Sequence, residues 1–331
     1  MTNLLKTKFI FNQLQKPIFD ERSLMSRKRV FLDSLLSLSG KNKYKRYAKS
    51  PLRYAGGKSL AVGLILERIP DNVKRVVSPF LGGGSVEIAI ANELNIPVMG
   101  YDIFDILINY WSIQLSRPEE LYNKLLKFIP TKKGFIAAKE ILKKHWNKEE
   151  ILNDIDLAAH YYFNHNTSYG PHFLGHPSSV YLQENRYKKM VQKIRDFRAP
   201  NLHVECASFE QIMEKHRDDF LYLDPPYYLD GDSKTFIGMY PHRNFPIHHK
   251  GFRHDLLHEL LLKHRGGFIL SYNDCSDIRK KMYKDFDMIA PSWQYTFSQG
   301  DTRIGENRLR DNNGEYIKKS HELLIWKMPD R

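Results

Sequence analysis

Residues 75–102, RVVSPFLGGGSVEIAIANELNIPVMGYD, decide the fold. The opening run RVVSPF, residues 75–80, is apolar and β-branched and suits a buried strand. It stops at Gly82-Gly83-Gly84, residues that tolerate positive φ and close backbone approach. SVEIAIANEL then reads as a helix, and PVMGYD, residues 97–102, as a second strand ending on an acid. Strand, glycine turn, helix, strand and acid, in that order, open a Rossmann-like doubly wound α/β sheet. A helix starting behind glycines offers free N–H groups and a positive dipole end to a nucleotide-like ligand. Asp102 stands where such folds hold a ribose diol. Each feature also has an ordinary reading: tight turns need glycine, and an aspartate caps helices.

Downstream, residues 106–199 are helical in pattern and rich in lysine and aromatics. ELYNKLLKFI, FIAAKEILKKHW and ILNDIDLAAHYYF give three amphipathic segments, followed by the loop NHNTSYGPHFLGHPSS. Residues 111–199 therefore read as a lobe inserted into a catalytic domain made of 51–110 and 200–331. Strand signals resume at LHVECA (202–207), FLYLD (220–224), GGFILSY (266–272), WQYTF (293–297) and HELLIWK (321–327). Helical patterns at 252–264 and 276–284 lie between them, as an α/β sheet requires.

Upstream, residues 1–50 form a basic extension. One helix is expected from Ser26 to Leu38. The following KNKYKRYAK is either a solvated linker or an arm that contacts phosphates. Tyr54-Ala55-Gly56-Gly57-Lys58 comes next. It does not complete a phosphate-loop pattern, since Leu52 precedes Gly56 by four and no apolar strand leads into it. Its lysine suits a ligand carboxylate.

Composition narrows the class. The 331 residues are 42% hydrophobic, enough to build a packed core, and carry a formal net charge of +13. Such a surplus points to a polyanionic partner, although a basic protein without one is the plain alternative. Two cysteines, Cys206 and Cys275, build no disulfide framework, and a reduced cytoplasmic setting fits. No apolar run reaches membrane-span length, and the N-terminal residues do not read as a signal peptide.

The chemistry centres on Asp224-Pro225-Pro226-Tyr227, which follows the run Phe220–Leu223. Two prolines stop the ladder and fix the backbone. They leave a carboxylate, a carbonyl and an aromatic ring at the sheet edge where this fold class binds ligands. An exocyclic base amine is a poor nucleophile because its lone pair is delocalised. Acceptors at Asp224 and Pro225 would hold both amino hydrogens and free that pair, while Tyr227 stacks on an extruded base. Methyl transfer to such an amine needs positioning and electrostatics rather than a metal.

The order YAGGK, PFLGGGS, YD, helical insertion and DPPY resembles the α-class N6-adenine DNA methyltransferases, the Dam-like group, over roughly residues 51–331. The resemblance implies a site-specific adenine DNA methyltransferase that uses S-adenosylmethionine, yields S-adenosylhomocysteine and flips its target base. It implies double-stranded DNA as partner, a monomer, no metal and no membrane, and a restriction endonuclease as a further partner. It places Tyr54, Lys58, Pro79, Phe80, Gly82, Gly84, Asp102, Phe209 and Asp224 on the cofactor, with Lys58 at its methionine carboxylate. Asp224, Pro225, Pro226 and Tyr227 hold the adenine. Asn164, Asn166 and Tyr169 fall in the loop that enters DNA, and the lobe becomes the target-recognition domain.

Three positions depart from the pattern. Ser78 replaces the acid before Pro-Phe, Ser208 replaces the acid before Phe209, and His165 replaces the arginine after Asn164. Recognition of GATC is therefore not implied. Amino methylation of cytosine N4 or of RNA, and a non-catalytic DNA-binding homologue, remain as alternatives. The segment 229–251 is either a lid or a surface loop. The polar stretch 299–320, with Arg303 and Arg308, is either a contact to DNA backbone or a solvated hairpin. His254 and His258, four apart, have metal-ligand spacing but lack a third partner at sensible spacing.

Overall fold

The computed structural model describes residues 21–37, 43–228, 251–291, 308–310, 316–318 and 322–330. Seven strands form one sheet in the order β3-β2-β1-β4-β5-β9-β6. They are β1 (Val76–Ser78), β2 (Val98–Asp102), β3 (Leu202–Cys206), β4 (Phe220–Leu223), β5 (Phe268–Asn273), β6 (Asp287–Ile289) and β9 (Glu322–Lys327). β1 to β5 run parallel, and β9 lies antiparallel between β5 and β6. The sheet is thus the doubly wound α/β arrangement that residues 75–102 demand. β1 and β4 are buried at every residue, because helices cover both faces. Chain order reverses between β1 and β4, and the crevice outside such a switch point is where ligands bind.

The helix behind the glycines is α3 (Ser85–Glu93), preceded by α2 (Val62–Leu66) and, near the N-terminus, α1 (Glu21–Leu35). α1 begins five residues before the expected start and ends before Leu38. Leu24, Phe31 and Leu35 are buried. Arg27 Nε donates to Leu94 O at 2.9 Å and Lys28 Nζ to Ile69 O at 2.7 Å, so both cations serve orphan carbonyls near helix ends. The basic run after it is no solvated linker over its described part. Tyr44 and Tyr47 are buried, and the Tyr47 hydroxyl donates to Glu93 Oε1 at 2.7 Å. The Tyr44 ring lies so close over Gly63 that no Cβ fits there. Residues 21–37 and 43–50 therefore pack onto the sheet's core through Leu24, Phe31, Leu35, Tyr44 and Tyr47.

The lobe holds α4 (Asp105–Ser116), α5 (Pro118–Leu125), α6 (Lys132–Trp146), α7 (Asp154–Thr167) and α8 (Glu184–Asp196). Thr131 caps α6 by accepting from Gly134 N, and Asn153 caps α7 by accepting from Asp156 N. The expected boundary at 110/111 falls inside α4. Tyr110 stacks on Tyr162 of α7 at 5.7 Å and 18°, and Trp111 meets Phe197 at 6.1 Å. One continuous hydrophobic core joins lobe and sheet, so the lobe starts as a direct extension of the sheet layer.

After β3, α9 (Phe209–Lys215) leads to β4, and α10 (His254–Lys263) leads to β5. Residues 277–282 form a single π-helical turn rather than the expected α-helix. The short edge strand β6 carries too little apolar pattern to be read from sequence. Two further strands, β7 (Arg308–Arg310) and β8 (Tyr316–Lys318), pair antiparallel in the stretch read as a DNA contact or a hairpin. Arg303, the expected strand 293–297 and most of the expected lid lie outside the described residues, as does the side chain of Arg308. Among the described residues no helix is long and apolar enough to cross a membrane.

Candidate active site

β1, β2, β4 and β5 all end at one edge, and each delivers functional residues there. After β1 the chain turns at Gly82 (φ 48°) and Gly84 (φ 65°), left-handed conformations that favour glycine. Tyr54 lies across this turn. A Cβ on Gly82 would come within 2.9 Å of Tyr54 Cε1, and one on Gly83 within 2.5 Å of Tyr54 Cβ. Gly82 N donates to Asp102 Oδ2 and Phe104 N to Asp102 Oδ1, each at 3.0 Å. Burial pushes the Asp102 carboxyl up, and these backbone donors oppose that shift. Each carboxylate oxygen keeps a further lone-pair direction, so the group can still accept from a diol. Trp111 Nε1 donates to Gly82 O at 2.9 Å and holds the turn from the lobe side, a link that local sequence does not announce.

An aromatic wall stands beside the turn. Phe80 meets Phe209 and Phe252 at 5.7 Å each, and Phe209 meets Phe252 at 5.2 Å. Ser208 is the N-cap residue of α9 without a side-chain cap bond, so the position preceding Phe209 supplies no carboxylate. Glycine cradle, α3 N-terminus, acid and flat apolar wall together fit a nucleoside with a polar tail. Pro79 is buried within the strand end that carries Phe80.

β4 delivers Asp224, with Pro225 buried behind it. Lys58 Nζ lies 2.6 Å from Asp224 Oδ1, 3.0 Å from Gly56 O, and 5.0 Å from the centre of the Tyr227 ring. Burial pushes the Asp224 carboxyl up and the Lys58 ammonium pulls it back down. The sequence reading had placed Lys58 on a cofactor carboxylate alone. The fold puts it against the Asp224 carboxylate. Tyr227 is buried and stacks on Tyr272 of β5 at 6.3 Å and 23°. His254 is hydrogen-bonded to the Tyr272 hydroxyl, which accounts for that histidine without a metal.

At Ser78 the chain lacks the resembling family's acid, yet a carboxyl is there. Glu87, on the first turn of α3, accepts from Ser78 Oγ at 2.6 Å and is 2% exposed. Burial pushes its pKa up to about 8. Unfolded, the group would titrate near 4.5. Between those values the folded state holds a proton that the unfolded chain has lost, so stability falls as pH rises through that window. Glu87→Gln keeps an acceptor for Ser78 and removes the proton. Its thermal midpoint should therefore change less between pH 5 and pH 8.5 than that of the wild type, read by calorimetry in both buffers. Equal slopes would rule out a buried, proton-holding Glu87.

The lobe places the residues expected to enter DNA. Asn164 and Asn166 are fully buried and His165 is 4% exposed, so none of the three faces a DNA surface in this conformation. Asn166 and His165 tie α7 to the residues before Lys58. Arg53 N donates to Asn166 Oδ1 at 3.1 Å, Asn166 Nδ2 to Pro51 O at 3.2 Å, and His165 Nε2 to Arg53 O at 2.9 Å. The Arg53 guanidinium donates to the carbonyls of Asn166 and Ser168 and sits 3.3 Å over the Tyr181 ring. Tyr54 stacks on His165 at 5.7 Å and 23°. Burial pushes the His165 pKa down to about 3, so it stays neutral and cannot replace a phosphate-binding arginine. Tyr169, by contrast, is 81% exposed. Among the described residues no group of three or more His, Cys, Asp or Glu side chains could hold a metal ion.

Known proteins share this pattern. A family sequence profile described as D12 class N6 adenine-specific DNA methyltransferase matches residues 54–297. The chain is 26% identical over 228 residues to Type II methyltransferase M.FokI of Planomicrobium okeanokoites, covering 65% of this chain and 33% of that protein. It is 21% identical over 248 residues to Type II methyltransferase M1.LlaDCHI of Lactococcus lactis subsp. cremoris, covering 71% and 84%. It is 22% identical over 340 residues to modification methylase StsI of Streptococcus sanguinis, covering 98% and 49%. The chain thus spans a third to a half of two of these relatives and most of the other.

Proposed function

Because the chain belongs to the D12 class N6 adenine-specific DNA methyltransferase family, we propose that it methylates adenine N6 at a specific sequence in double-stranded DNA, with S-adenosylmethionine as donor. The observation that carries the reading is the meeting of Asp224, Lys58 and Tyr227 across the switch point from the glycine turn. When bound, the cofactor supplies a methyl group on a sulfonium. The glycine turn and Asp102 would hold its ribose, Phe80 and Phe209 its adenine, and Lys58 its carboxylate. The Asp224 carboxylate and the Pro225 carbonyl would accept the two amino hydrogens of the flipped adenine. With both hydrogens held there, the nitrogen lone pair would be free for the methyl group that the cofactor would supply. The extra amino proton leaves by way of Asp224 to solvent. Tyr227 would stack on the base, which offsets the few kcal/mol that unstacking costs.

The lobe's exposed cations support a DNA partner. Lys132, Lys133, Lys143 and Lys144 on α6, and Arg186, Lys188, Lys189 and Lys193 on α8, all face solvent. Such side chains suit phosphates and position rather than specify. Tyr169 is the exposed aromatic of the former DNA-loop candidates and the one that fits an insertion into the duplex. We assign the chain a place beside a restriction endonuclease in the cytoplasm, acting as a monomer, since one copy carries every residue used here.

Purified protein with methyl-labelled cofactor should transfer label to unmethylated genomic DNA of varied sequence. Nucleoside analysis should return N6-methyladenine. N4-methylcytosine, label in RNA alone, or no transfer would each replace this reading.

A further inference from the structure

The described residues hold a further buried carboxylate at the catalytic edge, Glu322, which no motif above accounts for. It opens β9, is 4% exposed, and accepts a hydrogen bond from the Tyr227 hydroxyl at 2.6 Å. A buried acid carries a large desolvation cost unless it is well paired. A phenol donating to a carboxylate is a strong, directional pairing. The partner is 95 residues away in sequence, so the contact exists only in the folded sheet.

The strand register makes the contact part of a larger arrangement. Glu322 stands directly opposite Asn273, the last residue of β5. Asn273 Nδ2 donates to Tyr228 O at 2.6 Å. Paired residues on two adjacent strands thus hold two consecutive positions after the prolines, one by its side chain and the other by its backbone. Tyr272, next to Asn273 on β5, supplies the surface on which the Tyr227 ring lies. The antiparallel direction of β9 is essential. It brings the first residue of that strand to the same edge as the last residue of β5.

We propose that Glu322 is a positioning residue for the target base. By anchoring the Tyr227 hydroxyl, it fixes the plane of the ring on which the extruded adenine stacks. Without that anchor, the ring could turn about its Cβ–Cγ bond while still filling its place in the core. The base would then lose its platform at the moment its amine must line up with the methyl donor. This inference rests on the methyltransferase reading.

The test uses the full chain and four proteins: wild type, Glu322→Leu, Glu322→Gln and Tyr227→Phe. Each is assayed for methyl transfer to genomic DNA, for S-adenosylhomocysteine binding by calorimetry, and for thermal midpoint. Glu322→Leu should lose about 10- to 100-fold in kcat, the scale set by ångström-level misplacement of a reacting group. Glu322→Gln keeps an acceptor and should restore most of that loss. Tyr227→Phe keeps the ring but not its anchor, and should reproduce the Glu322→Leu defect even if the latter folds poorly. Homocysteine-product affinity should match wild type in all three. Wild-type kcat in Tyr227→Phe, or a Glu322→Gln enzyme as poor as Glu322→Leu, would overturn the proposal. So would a loss of cofactor affinity that parallels the loss of rate. Failure of the wild type to bind S-adenosylhomocysteine or to methylate DNA would instead overturn the underlying function.

Discussion

Asp224→Ala should lower kcat by about 10²- to 10³-fold, the usual cost of removing one preorganised partner of a developing charge. The substitution takes away an acceptor for the amine hydrogens and leaves only the Pro225 carbonyl to orient the nucleophile. Binding of S-adenosylhomocysteine should persist, because the glycine turn, Asp102 and the aromatic wall remain. The protein should also lose stability. Lys58 is 3% exposed and sits 2.6 Å from Asp224, so the variant takes the carboxylate away from a buried ammonium. Leaving a buried charged donor short of a partner costs about 1–3 kcal/mol. Asp224→Asn separates the two effects. Its amide oxygen can still accept, but its NH2 group opposes the amine, so rate falls with less loss of midpoint. Single-turnover transfer, product-cofactor calorimetry and a thermal scan report on the three quantities separately. Near wild-type turnover in Asp224→Ala would remove the carboxylate from the mechanism.

Lys58→Met should act on both substrates through one charge. Burial already pushes the Asp224 carboxyl up, and the Lys58 ammonium holds it down. Removing that opposite charge leaves the burial effect unopposed, so the carboxyl moves further up. The ionised form, which accepts both amine hydrogens, then survives only at higher pH. The acid limb of the kcat profile should therefore shift upward. The same variant loses the expected partner of the methionine carboxylate. A hydrogen bond to a charged group contributes about 1.5–3 kcal/mol, which is roughly 10- to 100-fold in cofactor affinity. A pH profile that stays in place would show that Lys58 does not govern Asp224.

Much of this site was legible before any coordinates. The glycine turn, the acid at Asp102 and the proline-stiffened Asp224–Tyr227 are local demands on the backbone. A positive φ, a broken ladder and a strand end leave marks in consecutive residues. The sheet followed from the same marks, since alternating apolar runs and helices admit few other arrangements. Less legible were contacts that depend on distant segments. Trp111 looks like one more core aromatic of α4, and only its bond to Gly82 O shows that it holds the glycine turn. Arg53 looks like a surface cation until its guanidinium is seen against the end of α7. Phe252 follows a polar segment, and nothing in its neighbourhood links it to Phe80 and Phe209.

Two stretches that read as polar surface in the sequence hold buried side chains, for a common reason. Polarity in sequence was read as exposure. Asn164 and Asn166 lie in a polar, glycine-rich stretch, yet both are interior, and Asn166 serves the backbone of Pro51 and Arg53 from there. The basic run before Pro51 hides Tyr44 and Tyr47, whose rings bury against α2 and α3 while the intervening lysines and arginine stay at the surface.

The sequence by itself determined which chemical groups reach the sheet edge, because strand ends, turns and prolines are set by neighbouring residues. The tertiary structure decided how those groups are charged and aimed. It put Lys58 against Asp224, returned a carboxyl to the glycine turn through Glu87, and brought Glu322 to the Tyr227 hydroxyl. Each of these depends on desolvation and on contacts between segments far apart in the chain, quantities that exist only once the sheet has closed around them.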